Sequence, residues 1–158
     1  MEKEIVSLLK KNQMTVTTAE SCTGGLIASR IVNVSGASEV FMEGYITYAN
    51  ASKEKILGVK HETIEKYGVV SAETAGEMAE GARRVAEADV AVSVTGIAGP
   101  SGGTKEKPVG LVYIGCASEI KTGVRRFVFD GNRDQVREQA VAQALSFLRD
   151  TLLEIEEA

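Results

Sequence analysis

From Glu2 to Asn12, Ile5, Leu8 and Leu9 fall on one helical face among lysines and glutamates, which predicts an amphipathic helix. Met14 to Thr18 alternates with β-branched character and reads as a strand, and Leu26, Ile27, Ile31 and Val32 then recur at helical spacing. That helix is expected from about Gly24 to Asn33, before the loop Ser35-Gly36-Ala37-Ser38. Phe41, Tyr45, Ile46 and Tyr48 suggest a strand over Val40 to Tyr48, interrupted by Gly44. Ala49 to Ser52 turns into a short helix that ends at Leu57, with Gly58 closing it. A second short helix runs from His61 to Tyr67 and stops at Gly68. Ser71, with Glu73 and Thr74, then opens a longer one carrying Met78, Ala79, Ala82 and Val85 at helical spacing. Ala88 to Thr95 is almost continuously apolar and rich in β-branched residues, the pattern of a strand buried on both faces. After the glycine-rich segment 96–103, Pro108 precedes a similar strand over Val109 to Cys116. A hairpin near Ser118-Glu119 leads to an outer strand over Val124 to Phe129. From Arg133 a long amphipathic helix turns Val136, Ala140, Leu145, Leu148 and Leu152 inward, capped by Asp130 to Asp134.

Strands alternating with helices, and one hairpin, predict an α/β protein: a three-layer α/β/α sandwich around a mixed β-sheet. With 158 residues the chain is expected to form a single domain over 1–158, a size that buries roughly 68–70% of the unfolded surface. Sites in such sheets gather at loops leaving strand ends. The two loops of that kind richest in glycine and hydroxyls lie at Ser21 and at Gly96.

Charge and composition narrow the chemistry. A net charge of -4 argues against a nucleic-acid partner, and the basic pairs Lys10-Lys11, Arg83-Arg84 and Arg125-Arg126 are isolated. No apolar run approaches the ~20 residues that cross a bilayer, and Met1-Glu2-Lys3-Glu4 is no signal peptide. A cytoplasmic location without membrane attachment is therefore expected. Cys22 and Cys116 lack CxxC spacing, so neither a disulfide framework nor a zinc knuckle is suggested. His61 is the only histidine, which leaves no His-His metal motif and no Ser-His-Asp triad. Any base must be another residue, and no metal is expected.

Thr17-Thr18-Ala19-Glu20-Ser21-Cys22-Thr23-Gly24-Gly25 is the stretch richest in reactive groups, and so polar a run is expected outside the core. It forms a strand-to-helix turn, where the first helical amides lack carbonyl partners and favour negative charge. Ser21 beside such donors can serve as a nucleophile if a base is at hand, and with histidine excluded the substitute is a lysine. Bringing a lysine from about 10.4 to about 7 takes roughly 4.6 kcal/mol of burial and nearby positive charge. Lys53, after a strand end and a turn containing Tyr48 and Asn50, is the best-placed candidate. The bland alternative is Ser21 as a helix cap and Lys53 as a solvated surface charge. Cys22 at a helix start is a competing nucleophile, and Glu20 reads as a cap or ion-pair partner. The loop Gly96 to Gly103 has neither Walker A nor dinucleotide spacing; it divides between an anion cradle and a tight turn. Arg133 and Arg137, one helical turn apart, suit a phosphate or simply a solvated face.

Taken together, Ala19-Glu20-Ser21-Cys22-Thr23-Gly24-Gly25, Tyr48 and Asn50 with Lys53, Thr95-Gly96-Ile97-Ala98-Gly99-Pro100 and Lys107-Pro108-Val109-Gly110 resemble the CinA C-terminal domain family, the nicotinamide mononucleotide deamidases. The resemblance runs from about residue 3 to 155. It implies hydrolysis of the carboxamide of nicotinamide mononucleotide to nicotinate mononucleotide and ammonia, with no cofactor and no metal. The family's serine falls on Ser21, and its tyrosine and lysine on Tyr48 and Lys53. Its arginine falls on Arg133 or Arg137. Under that resemblance Lys53 takes the proton of Ser21, amides of Thr23, Gly24 and Gly25 hold the oxyanion, and Tyr48 orients Lys53 or relays the proton. Asn50, Thr95, Gly96 and Gly99 join the arginine around the nucleotide substrate. Direct attack by water, with Ser21 only a hydrogen-bond donor, is the alternative mechanism. Many members carry Tyr-Ser-Asn where this chain has Tyr48-Ala49-Asn50. The family often fuses this domain to a larger N-terminal one similar to molybdopterin-binding domains, for which 158 residues leave no room. A homodimer is expected from the resemblance. The competing class is a nucleotide-binding or sensing module without catalysis, acting in a partner complex.

Overall fold

Six α-helices and five strands follow one another in the computed structural model, which describes residues 1–158. In chain order they are α1 (Glu2–Lys11), β1 (Val16–Glu20), α2 (Leu26–Val32), β2 (Tyr45–Ile46), α3 (Asn50–Leu57), α4 (His61–Tyr67), α5 (Ala72–Ala86), β3 (Val90–Gly96), β4 (Leu111–Ser118), β5 (Thr122–Val128) and α6 (Arg133–Glu157). The strands form one sheet in the order β2-β1-β3-β4-β5. β1 pairs in parallel with both β2 and β3, while β3-β4 and β4-β5 are antiparallel, so the sheet is mixed.

Alternation along β3 divides the core between two layers. Val90, Val92 and Val94 join Ile5, Ile31, Val136 and Leu148 under α1, α2 and α6. Ala91 instead joins Leu57, Met78 and Ala82 under α3 and α5. Small residues on this second face let α5 come close: Ser93 Oγ donates to the Ala75 carbonyl at 2.6 Å. A Cβ on Gly115 of β4 would lie 2.6 Å from that same oxygen. Two caps predicted from the sequence are formed. Ser71 Oγ accepts from the Thr74 amide at 3.1 Å, and Asn132 with Gln135 completes a capping box at the start of α6.

The strand expected over Val40 to Tyr48 contracts to Tyr45–Ile46, with a single bridge from Phe41 to Val16. Its main-chain groups are otherwise engaged. Glu43 O accepts from Thr17 Oγ1, and the carbonyls of Thr47 and Tyr48 turn toward the Lys53 side chain. β1 lies two residues later than expected, because Val16 to Glu20 is the segment in register with β3. Val32 and Val85 share the spacing of the core positions on their helices yet are exposed, each near the end of its helix. The polar stretch expected outside the core is buried: Thr17, Thr18, Glu20, Ser21 and Thr23 are all within it.

Candidate active site

Burial of Glu20 and Thr23 in that stretch is possible because they and the amides that follow satisfy one another. Glu20, the last residue of β1, points its carboxylate at the start of α2. It accepts from Thr23 Oγ1 at 2.7 Å and from the amides of Gly25, Ile27 and Ala28 at 3.2, 2.9 and 3.0 Å. An anion at a helix N-terminus is well placed against the unpaired amides and the helix dipole. Gly24 and Gly25, at φ +57° and +103°, supply the left-handed backbone that folds the chain back over this carboxylate. Glu20 thus takes the capping position that Ser21 was a candidate for, and the Ser21 side chain is left to face elsewhere.

Ser21 faces Lys53. The lysine is 1% exposed, and its Nζ donates to Ser21 Oγ at 3.1 Å, to Thr47 O at 2.8 Å and to Tyr48 O at 3.1 Å. No carboxylate is bonded to it. Burial, opposed weakly by the nearby Cys22 thiol, pushes the amine down to about 8. At pH 7.5 about a quarter of such a lysine is uncharged, against about one part in a thousand at the ordinary value. Cys22 is buried and its thiol is pushed up to about 11 by the same loss of solvent, so it stays protonated near neutrality.

The turn also presents unpaired donors, though not all those expected. The Gly24 amide is bonded to Ser21 O and the Gly25 amide to Glu20, so neither is free for an oxyanion. The main-chain N–H groups of Cys22 and Thr23 have no partner in the chain. Arg137 holds the carbonyls of the same turn, donating from Nε to Cys22 O at 2.8 Å and from Nη2 to Thr23 O at 3.3 Å.

A cavity of about 250 Å³ opens over this arrangement. Of the expected site residues, Ser21, Lys53, Tyr48, Asn50, Thr95, Gly96, Gly99 and Arg133 line it. Thr23, Gly24, Gly25 and Arg137 do not; they brace the turn from behind. Arg133 reaches across the mouth, donating to Gly99 O at 2.8 Å and to the Tyr48 hydroxyl at 3.2 Å. Tyr48 is 63% exposed; its main-chain carbonyl holds the Lys53 amine, while its hydroxyl accepts from Arg133. Thr95 Oγ1 is engaged by Val69 O at 2.8 Å and ties the end of β3 to the segment before α5. On the far wall the amides of Ala98, Gly99, Ser101 and Gly102 have no partner in the chain. No cluster of three or more His, Cys, Asp or Glu side chains suited to a metal is present, and no helix is long and apolar enough to cross a membrane.

The family model of the CinA C-terminal domain matches residues 1–152. The chain belongs to the CinA C-terminal domain family. A CinA-like protein of Kosmotoga olearia is 55% identical over 153 residues, covering 97% of this chain but only 37% of that relative's length. The CinA C-terminal domain therefore accounts for well under half of such relatives. Among solved structures, a competence/damage inducible protein from Agrobacterium tumefaciens superposes with a TM-score of 0.92 at 40% identity, covering 96% of this chain and 92% of that one. A CinA superfamily protein from Klebsiella pneumoniae reaches 0.93 at 30% identity over 97% and 96% of the two chains.

Of two residues that support this CinA site, sequence reasoning read the role of one and missed that of the other. Glu20, which the sequence offers as a cap or an ion-pair partner, is the cap, as an acid just before a glycine pair and a helix can be when helical amides receive its carboxylate. The bracing role of Arg137 left no mark in the sequence, because its partners are carbonyls 115 and 114 residues away.

Proposed function

We propose that this chain is an amidohydrolase that converts nicotinamide mononucleotide to nicotinate mononucleotide and ammonia, with Ser21 as nucleophile and Lys53 as its base. The observation that carries the reading is the buried lysine nitrogen 3.1 Å from Ser21 Oγ, with no carboxylate to keep it charged. The substrate class rests on the motif resemblance.

In the neutral amine two N–H bonds go to Thr47 O and Tyr48 O, which leaves the lone pair facing Ser21 Oγ. The serine proton moves to Nζ as Oγ adds to the carboxamide carbon. The unpaired amide of Cys22, which lines the cavity, is the turn's donor available for the oxygen that becomes negative, and one such donor contributes about 3–4 kcal/mol at the transition state. The Lys53 ammonium then passes its proton to the departing nitrogen, and ammonia leaves as the acyl–Ser21 ester forms. Water, deprotonated by Lys53, attacks the ester and releases nicotinate mononucleotide and free Ser21. Arg133 and the open amides from Ala98 to Gly102 form the wall suited to a phosphate. Tyr48 serves that wall through Arg133 rather than the proton transfer.

Ammonia release from nicotinamide mononucleotide tests the reading. Ser21→Ala and Lys53→Met are each expected to lower kcat by at least about 10³-fold with the fold intact. Turnover that survives both changes would remove the dyad. Wild-type protein that binds the nucleotide and releases no ammonia would make the chain a binding module instead.

A further inference from the structure

Lys53 stands on a helix of only eight residues, α3, whose place against the sheet is set from below. Leu57, one turn further along, is fully buried on the same face. Its backbone lies directly on Gly81 of α5. A Cβ added to Gly81 would stand 1.8 Å from Leu57 O, 2.8 Å from its carbonyl carbon and 3.1 Å from its Cα. No side-chain rotation relieves such a contact, since every atom met belongs to the main chain. Arg84, one turn along α5, donates to the same Leu57 carbonyl at 3.1 Å. α5 has no room to retreat, because Ala75 O is already pressed against Gly115 and Ser93.

We propose that Gly81, with Arg84, is a positioning element for the reaction: the bare backbone of α5 admits α3 closely enough to deliver Lys53 to Ser21. Lengthening the Cβ contact from 1.8 Å to 3.0 Å, the closest approach that real Cβ atoms make, requires α3 to move by at least about 1.2 Å. A misplacement of about 1 Å between reacting groups costs on the order of 10²-fold in rate. The move also opens the lysine pocket to water, which lets Nζ titrate nearer its ordinary value. The groups facing Nζ there are Ser21 Oγ and two carbonyls of the β2–α3 connection. The Cys22 thiol also lies near Nζ, and on α5 the Arg84 guanidinium is held at the Leu57 carbonyl.

The kinetic part of this inference rests on the amidase reading, and the titration part does not. The test compares Gly81→Ala with Gly76→Ala on the same helix, where an added Cβ meets Val124 Cγ2 at an ordinary 3.7 Å. The lysine Cε resonance in ¹³C-labelled protein, assigned by its loss in Lys53→Met, reports the Lys53 midpoint directly. Gly81→Ala is expected to raise that midpoint by at least one pH unit and to lower kcat about 10²-fold with KM changed less than threefold. Gly76→Ala is expected to change neither. If Gly81→Ala does not fold, Arg84→Met decides, since it releases the Leu57 carbonyl without adding bulk and is expected to raise the midpoint by a smaller amount. A midpoint equal to wild type in Gly81→Ala, or in Arg84→Met where that variant decides, overturns the proposal. A raised midpoint in a protein whose wild type releases no ammonia retires the amidase reading and keeps the positioning.

Discussion

Replacing Lys53 by methionine keeps most of the side chain's length and removes its charge, so the difference in stability between the two proteins isolates the titration of one nitrogen. Wild-type Lys53 titrates at about 8 in the folded chain, against 10.5 as its ordinary value. Below pH 8 the amine is charged whether the chain is folded or not, and the full cost of keeping that charge away from water weighs on the native state. Between 8 and 10.5 the native lysine has lost its proton while the unfolded one retains it. The unfolded state then binds more protons, and stability rises with pH. Above 10.5 both are neutral and the cost is gone. A shift of about 2.5 units corresponds to a ceiling of about 3.4 kcal/mol, and because Lys53 borders a cavity rather than solid core, roughly 2 is expected. Urea unfolding of both proteins from pH 7 to 10.5 measures the difference, with the other titrating groups cancelling between them. Wild type should gain about 2 kcal/mol on the variant across this window. A flat difference would mean that Lys53 is an ordinary solvated lysine, and a difference that shrinks as pH rises would mean an ion-paired one. Either result would undo the case for an uncharged base beside Ser21.

Glu20→Ala leaves three helical amides and the Thr23 hydroxyl without their acceptor; a loss of about 3 kcal/mol or more is expected from thermal or urea unfolding. Arg133→Met should raise KM for nicotinamide mononucleotide about tenfold or more with kcat nearly kept, whereas Arg137→Met should lower kcat and leave KM close to wild type. Steady-state ammonia assays on the two variants separate the cavity wall from the brace behind the turn.

Much of the fold is written in local pattern. β3 is legible as a nearly continuous apolar run because both its faces are covered, and α6 because its buried positions repeat over many turns. The short strand β2 is not, since the apolar spacing of Val40 to Tyr48 says nothing about carbonyls diverted to a lysine side chain. Lys53 illustrates the boundary in the site. Elimination of histidine pointed to a lysine and the motif to this one, but its complete burial depends on α5 and on the end of β1, which no local window contains. Gly81 shows the same boundary from the other side: one more glycine within a helix, its meaning visible only against Leu57.

The brace from Arg137 to the carbonyls of Cys22 and Thr23 also bears on when the site comes into being. Ser21 directly follows β1, yet the carbonyl of its neighbour Cys22 is held by a residue 115 positions further along the chain. A nascent chain with β1 in place still lacks that support until α6 has left the ribosome and docked. The surroundings of Ser21 are thus complete only once α6 is made, and shortened products that stop before α6 are expected to carry the serine without its braced turn.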